Sequence, residues 1–277
     1  MLIMRYVLLL GLWGATILGC TELDRDRCLD RGGQWDEASQ QCVEQHTADS
    51  SLVEKDSTRY YTYHINYPSL NRTDSLIRNK TRAFAREHKQ QFLSLFERDS
   101  MPRSARYPWE FRLDYSIQDS AKSFVSILGN GYAFSGGAHG NHFFTTINFD
   151  RRSDRLLQLQ DLLADSAALA PISQFVQREL TKKLLTQFDT QDDKQAIAAN
   201  KERIRQWVQE GTVPNPKNYQ YFWLAEPVNG HPTGITFLFP PYQVAPYAAG
   251  EQRIFVPASV FADQLNIRYR DWFGVQY

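Results

Sequence analysis

Between residues 109 and 149 apolar side chains return at every second position, and that period decides what the middle of the chain can become. Trp109, Phe111, Leu113, Tyr115 and Ile117 alternate with polar neighbours, an apolar run over 124–128 follows, and Phe143, Thr145, Ile147 and Phe149 repeat the pattern. A period of two is that of a strand whose alternate side chains enter a core. The connections are short and polar or glycine-rich, whereas a parallel crossover needs a dozen or more residues, so these strands form an antiparallel meander.

The flanks alternate between strand and helix. Tyr61, Tyr63, Ile65 and Tyr67 predict a half-buried strand closed by Pro68, and Asp74 introduces a helix with Ile77, Phe84, His88, Phe92, Leu95 and Phe96 on one stripe. His88 reads as a histidine at the edge of the core. A second helix is predicted over 166–188, where Leu169, Ile172, Val176, Leu180 and Leu184 recur at three and four, and a shorter one over 195–209 with Ile197, Ile204, Trp207 and Val208 inward. Strands follow at 221–224, 235–239 and 253–256, with a short helix at 258–265. This order predicts an α+β fold, an antiparallel sheet or sheets with helices packed on one face, preceded by a small disulfide-clipped segment. A subdivision near residues 151–155 is compatible with the pattern.

The amino terminus has a different character. Residues 1–19 hold one charge, Arg5, then a short apolar stretch ending in Gly19-Cys20, which is the layout of a signal peptide. A retained membrane helix is the weaker alternative, because a span takes roughly 20 apolar residues and a polar stretch begins at Thr21. Ile17-Leu18-Gly19-Cys20 resembles the lipobox of bacterial lipoproteins, which implies cleavage before Cys20, acylation of its thiol and a membrane held through that lipid anchor. Thr21, where the inner-membrane retention signal would have aspartate, favours the outer membrane with the folded part facing the periplasm. Ordinary secretion with a free Cys20 stays open.

The chain has three cysteines, and acylating Cys20 leaves Cys28 and Cys42 as a pair in a compartment where disulfides persist. A loop of that size closed by a disulfide would be worth on the order of 3 kcal/mol. Zinc is not expected there, since only His46 is near. The predicted organisation is therefore a leader over 1–19, an acylated and clipped segment over 20–43, a polar linker over 44–58, and one domain over 59–277.

Composition narrows the partners. The formal net charge is zero, and about one unit negative once Arg5 is removed, which gives no basis for binding nucleic acid or anionic lipid through charge alone. No glycine-rich phosphate loop follows a strand, and no cofactor is implied. His139 and His142 have an H-x-x-H spacing, but no H-E-x-x-H and no placed carboxylate accompany them, so a metal is not expected. Ser135 precedes two glycines without the G-x-S-x-G elbow of a nucleophile, and Asp192-Asp193 reads as a solvated turn. Nothing in the sequence supports catalysis, although an unfamiliar peptidoglycan-modifying site near His139 and His142, or a structural role in envelope assembly, remains an alternative.

Two segments stand out as binding loops. Ser135, Gly136, Gly137 and His139 lie in a glycine-rich turn between aromatic strands, where the backbone is open to close approach. Pro241, Tyr242, Pro246 and Tyr247 lie in a stretch stiffened by three prolines, in which two tyrosines offer broad contact area at low entropic cost. Residues 132–139 with 143–150, Leu159-Gln160-Asp161-Leu162-Leu163, and residues 239–250 with 254–257 resemble the extracellular domain of the lysozyme-sensing anti-sigma factors of the RsiV type. That domain type is similar to the non-catalytic module of the peptidoglycan deacetylase PdaC. The resemblance covers residues 58–265 and implies an α+β envelope domain that binds a lysozyme-like muramidase or peptidoglycan through these eight loop residues. The cytoplasmic segment of the anti-sigma factors and the catalytic domain of the deacetylase have no counterpart in the sequence.

Overall fold

The computed structural model describes residues 34–36, 41–43, 52–71, 74–98, 108–187, 194–225 and 227–273. The chain divides into two compact units, Met1–Ser51 and Leu52–Tyr277. In the first unit, β1 (Gln34–Asp36) and β2 (Gln41–Val43) pair antiparallel, with Trp35 opposite Cys42. The leader, Cys20 and Cys28 lie outside the described residues, and with them the expected anchor and disulfide. Among the described residues no helix is long and apolar enough to cross a membrane.

The second unit is built on a six-stranded sheet in the order β3-β4-β5-β6-β7-β8. Its strands are β3 (Val53–Ser57), β4 (Tyr61–Asn66), β5 (Trp109–Ser120), β6 (Phe124–Phe134), β7 (Asn141–Asp150) and β8 (Arg155–Leu157). The meander β5-β6-β7 is antiparallel, as its short turns require. β4 and β5 are parallel, because the helix α1 (Ser75–Arg98) carries the chain back between them. The stretch 44–58 expected to be linker is corrected at its end: Val53–Ser57 is an edge strand paired to β4. Its polarity is that of an edge rather than of a tether, since charge on an outer strand discourages pairing with other chains.

α1 covers one face of the sheet. Ile77, Ala85 and Phe92 are sealed against Ile65, Phe111, Leu113, Val125, Ile127 and Phe149, and burying each large apolar side chain is worth about 1.5–3 kcal/mol. Two positions expected on the inner faces lie outside: Leu95 is exposed near the end of α1, and Ile117 is exposed where a register shift between Ile117 and Asp119 ends the alternation of β5. The run 124–128 is buried at every residue because β6 is covered on both sides. Val125 and Ile127 meet α1, while Phe124 and Leu128 meet a second sheet.

That second sheet has three antiparallel strands in the order β11-β10-β9, namely β9 (Phe222–Ala225), β10 (Gly234–Phe239) and β11 (Gln252–Pro257). The helix α2 (Leu169–Gln187) packs Leu169, Ile172, Val176, Leu180 and Leu184 into its core, and α3 (Lys194–Gly211) lies beside α2 and contributes Val208. β9 is an edge strand inside the protein, so its outward backbone groups need partners away from water. Polar side chains of the first sheet supply them. Asn148 Nδ2 donates to the Phe222 carbonyl at 2.9 Å, Ser126 Oγ accepts from Leu224 N–H at 3.2 Å, and Ser126 Oγ donates to Asn148 Oδ1 at 2.6 Å. The predicted helix at 258–265 is a pair of 3-10 turns, Ala258–Val260 and Ala262–Gln264.

Candidate functional site

The glycine-rich turn joins β6 to β7. Ser135, Gly136, Gly137, Ala138 and His139 are exposed, and the two glycines sit at φ +99° and +100°, a region that side chains other than glycine occupy only under strain. Gly140 closes the turn and is buried. A Cβ there would fall 2.4 Å from the Tyr132 ring, so the ring can lie on the backbone only because this residue is glycine.

The proline-tyrosine loop joins β10 to β11. Gln243 N–H donates to the Pro240 carbonyl at 3.1 Å, closing a tight turn with Pro241 and Tyr242 at its corners. Tyr242 has φ +71°, the conformation that a turn of this kind ordinarily gives to glycine or asparagine. α3 holds it there. Trp207 Nε1 donates to the Tyr242 carbonyl at 3.0 Å, and Gln243 Nε2 donates to the Gly211 carbonyl at 3.0 Å. Gly211 is required for that approach, because a Cβ on it would stand 2.0 Å from the Gln243 carbonyl oxygen. Val244 and Ala245 are buried, and Tyr242 is left 56% exposed.

The two loops meet. The Tyr247 ring stacks on His139 with centroids 4.3 Å apart, and its hydroxyl donates to the Gly140 carbonyl at 3.2 Å. The Tyr242 ring lies 5.5 Å from that of Tyr247, and His142 is 6.3 Å from Tyr247, so four rings adjoin one another. Beside them opens a cleft of about 420 Å³ whose walls include Asn130, His142, Phe144, Pro241, Tyr247 and Glu251. Arg253 Nε holds the Glu251 carboxylate at 2.8 Å, while its guanidinium lies over the Trp223 ring.

Of the residues singled out in the sequence, Pro241, Tyr242, Tyr247 and His139 are brought together. Ser135, Gly136 and Gly137 form the exposed tip of the neighbouring turn, and Pro246 accepts from Ala249 N–H at 2.9 Å to start the turn that carries Tyr247. His142 joins the face through its ring. Among the described residues no group of three or more histidine, cysteine, aspartate or glutamate side chains is gathered as a metal site. Asn130, Phe144 and Glu251 were not anticipated. Only Asn130 carried a visible signal, as a polar residue between Gly129 and Gly131 in the middle of a strand.

Residues 54–142 match the family described as Deacetylase PdaC, and residues 160–259 match the one described as a protein of unknown function, DUF3298. The chain is similar to the PdaC-like module. The first match ends at His142 and the second contains Tyr242 and Tyr247, so each supplies one half of the joined face. The peptidoglycan-N-acetylmuramic acid deacetylase PdaC of Bacillus subtilis (strain 168) is 28% identical over 214 residues, covering 76% of this chain and 40% of that protein. This chain thus spans 40% of the length of that relative. A DUF3298 family protein from Pseudomonas aeruginosa PAO1 shares the fold, with a TM-score of 0.50 and 18% identity over 78% of this chain and 93% of that one. A member of the same family from Bacteroides fragilis NCTC 9343 aligns with a TM-score of 0.47 and 17% identity over 79% of this chain and 93% of its own.

Proposed function

We propose that this protein is a non-enzymatic module of the bacterial cell envelope that holds peptidoglycan through the face made by its two loops. The observation that carries the proposal is the stacking of Tyr247 on His139, which turns two exposed loops into one surface with a cleft at its side. Aromatic and proline walls offer flat apolar area, while Asn130 and Glu251 offer a donor and acceptors that fix orientation, the combination that suits a small polar ligand in a concave site. The likeness to a peptidoglycan deacetylase agrees with that chemistry. Acylation of Cys20 would tether the module to the outer membrane, facing the periplasm.

A lysozyme-like muramidase is the second reading. It is favoured by Tyr242, an exposed ring that the backbone presents at the cost of a strained φ, as at a protein–protein hot spot. Purified protein lacking its leader is incubated with sacculi and, separately, with a muramidase. Retention on sacculi with unchanged muropeptides is expected. Altered muropeptides would make it an enzyme, capture of the muramidase alone would select the second reading, and retention by neither would remove the proposal.

A further inference from the structure

The six-stranded sheet has an opening along β7. β8 pairs only with Asn148, Phe149 and Asp150, so, among the described residues, 141–147 have β6 on one side and no strand on the other. A cleft of about 310 Å³ follows this gap, lined by Thr145, Thr146, Ile147 and Asn148. Successive strand side chains point to opposite faces. A cavity that touches Thr145, Thr146 and Ile147 in turn therefore runs along the edge of the strand, where outward N–H and C=O groups have no strand partner among the described residues, and not over one face of the sheet.

Sheet edges are usually guarded by charge, proline or brevity. The other outer strands follow that rule, since β3 carries Glu54, Lys55 and Asp56 and β8 has three residues. The open stretch Asn-His-Phe-Phe-Thr-Thr-Ile contains no lysine, arginine, acid or proline. Its opposite wall is α1, which places Lys80 and Glu87 on the cleft. Seven helical residues separate them by roughly 10 Å, between the rises of two and of four residues of strand, the spacings that keep two strand side chains on one face.

The direction of α1 is fixed at both ends. Arg151 Nη2 donates to Asp74 Oδ2 at 3.2 Å, and His88 stacks on Phe143 with centroids 4.8 Å apart. α1 therefore runs opposite to β7, with Lys80 toward Asn148 and Glu87 toward Thr145. We infer that the open edge of β7 takes an extended peptide segment of a partner as an added antiparallel strand. That segment carries an acidic side chain for Lys80 and, four residues further on and on the same face of the added strand, a basic one for Glu87. The cavity at Thr145 to Asn148 adjoins the loop face through His142 and Phe144 of the same strand, but the inference does not rest on that face binding peptidoglycan, and its test reads peptide binding alone.

Hydrogen–deuterium exchange on the purified protein tests this, with acetyl-Thr-Glu-Thr-Val-Thr-Lys-Val-amide and its charge-exchanged twin as probes. The first peptide should bind with a Kd at or below about 1 mM and slow exchange of amides within 143–147 by at least about tenfold at saturation. Its twin should bind at least about fivefold more weakly, and the double variant Lys80→Glu, Glu87→Lys, altered only at exposed positions, should reverse the preference. Three results overturn the inference: no slowed exchange with either peptide, a preference unmoved by the charge reversal, or the same amides protected without peptide by dimerisation.

Discussion

Tyr242 holds an exposed aromatic ring on a backbone conformation suited to glycine. For a residue of this kind the left-handed region costs about 1–3 kcal/mol, and replacing it by glycine returns about 0.5–1 kcal/mol of that through unfolded-state entropy. Tyr242→Gly should therefore raise stability to urea by about 1 kcal/mol while weakening ligand binding; a loss of stability would mean that ring packing outweighs the strain. The sequence pointed to this loop and to the glycine turn because their unusual composition is local. It could not show that Tyr242 takes a positive φ, because that depends on Trp207 and Gln243 fixing the turn to the end of α3. Phe144 and Glu251 stayed hidden for a similar reason: in sequence each is an ordinary strand or turn residue, and only the meeting of the loops puts them in a cleft.

At the level of elements, the internal edge of β9 depends on side chains that alternation alone would assign to solvent. Asn148→Leu fills similar space but leaves the buried Phe222 carbonyl and Ser126 without their partner, which should cost about 1–3 kcal/mol in chemical denaturation. An unchanged midpoint would show that β9 does not need these bonds. The strand β3 was hidden inside an apparent linker because an outer strand is polar and its partner β4 lies beyond a turn. It is tied to α1 by Glu54, whose carboxylate accepts from Lys89 and from Tyr67 Oη at 3.0 Å. Burial raises the Glu54 pKa, but the bonds from Lys89 and Tyr67 outweigh it and leave the carboxyl below its usual value. A lowered carboxyl pKa contributes stability that is present above about 4.5 and lost as pH falls through the folded value. The stability difference between wild type and Glu54→Gln should therefore shrink from about pH 7 to about pH 3, and a constant gap in thermal melts would contradict the pairing. Tyr67, raised to about 12 by burial and by its bond to Glu54, acts at the other end. The folded state keeps that proton longer, so stability falls as pH rises from about 10 to about 12.

For the molecule as a whole, the meander, the helices and the α+β class were legible because period and turn length are local properties. The division into a six-stranded sheet covered by α1 and a three-stranded sheet covered by α2 and α3 was not, since it rests on pairings between distant segments. The same long-range packing brings His139 and Tyr247 together and makes the two loops one face. If that face grips peptidoglycan, removing exposed Tyr242 together with half-buried Tyr247 should weaken it by more than about 2 kcal/mol, or roughly thirtyfold. The direct measurement is co-sedimentation with sacculi, comparing wild type with Tyr242→Ala, Tyr247→Ala at matched folded fraction. The account predicts that wild type pellets with the sacculi while the double variant needs roughly thirtyfold more sacculi to do so; equal retention of the two proteins would contradict it.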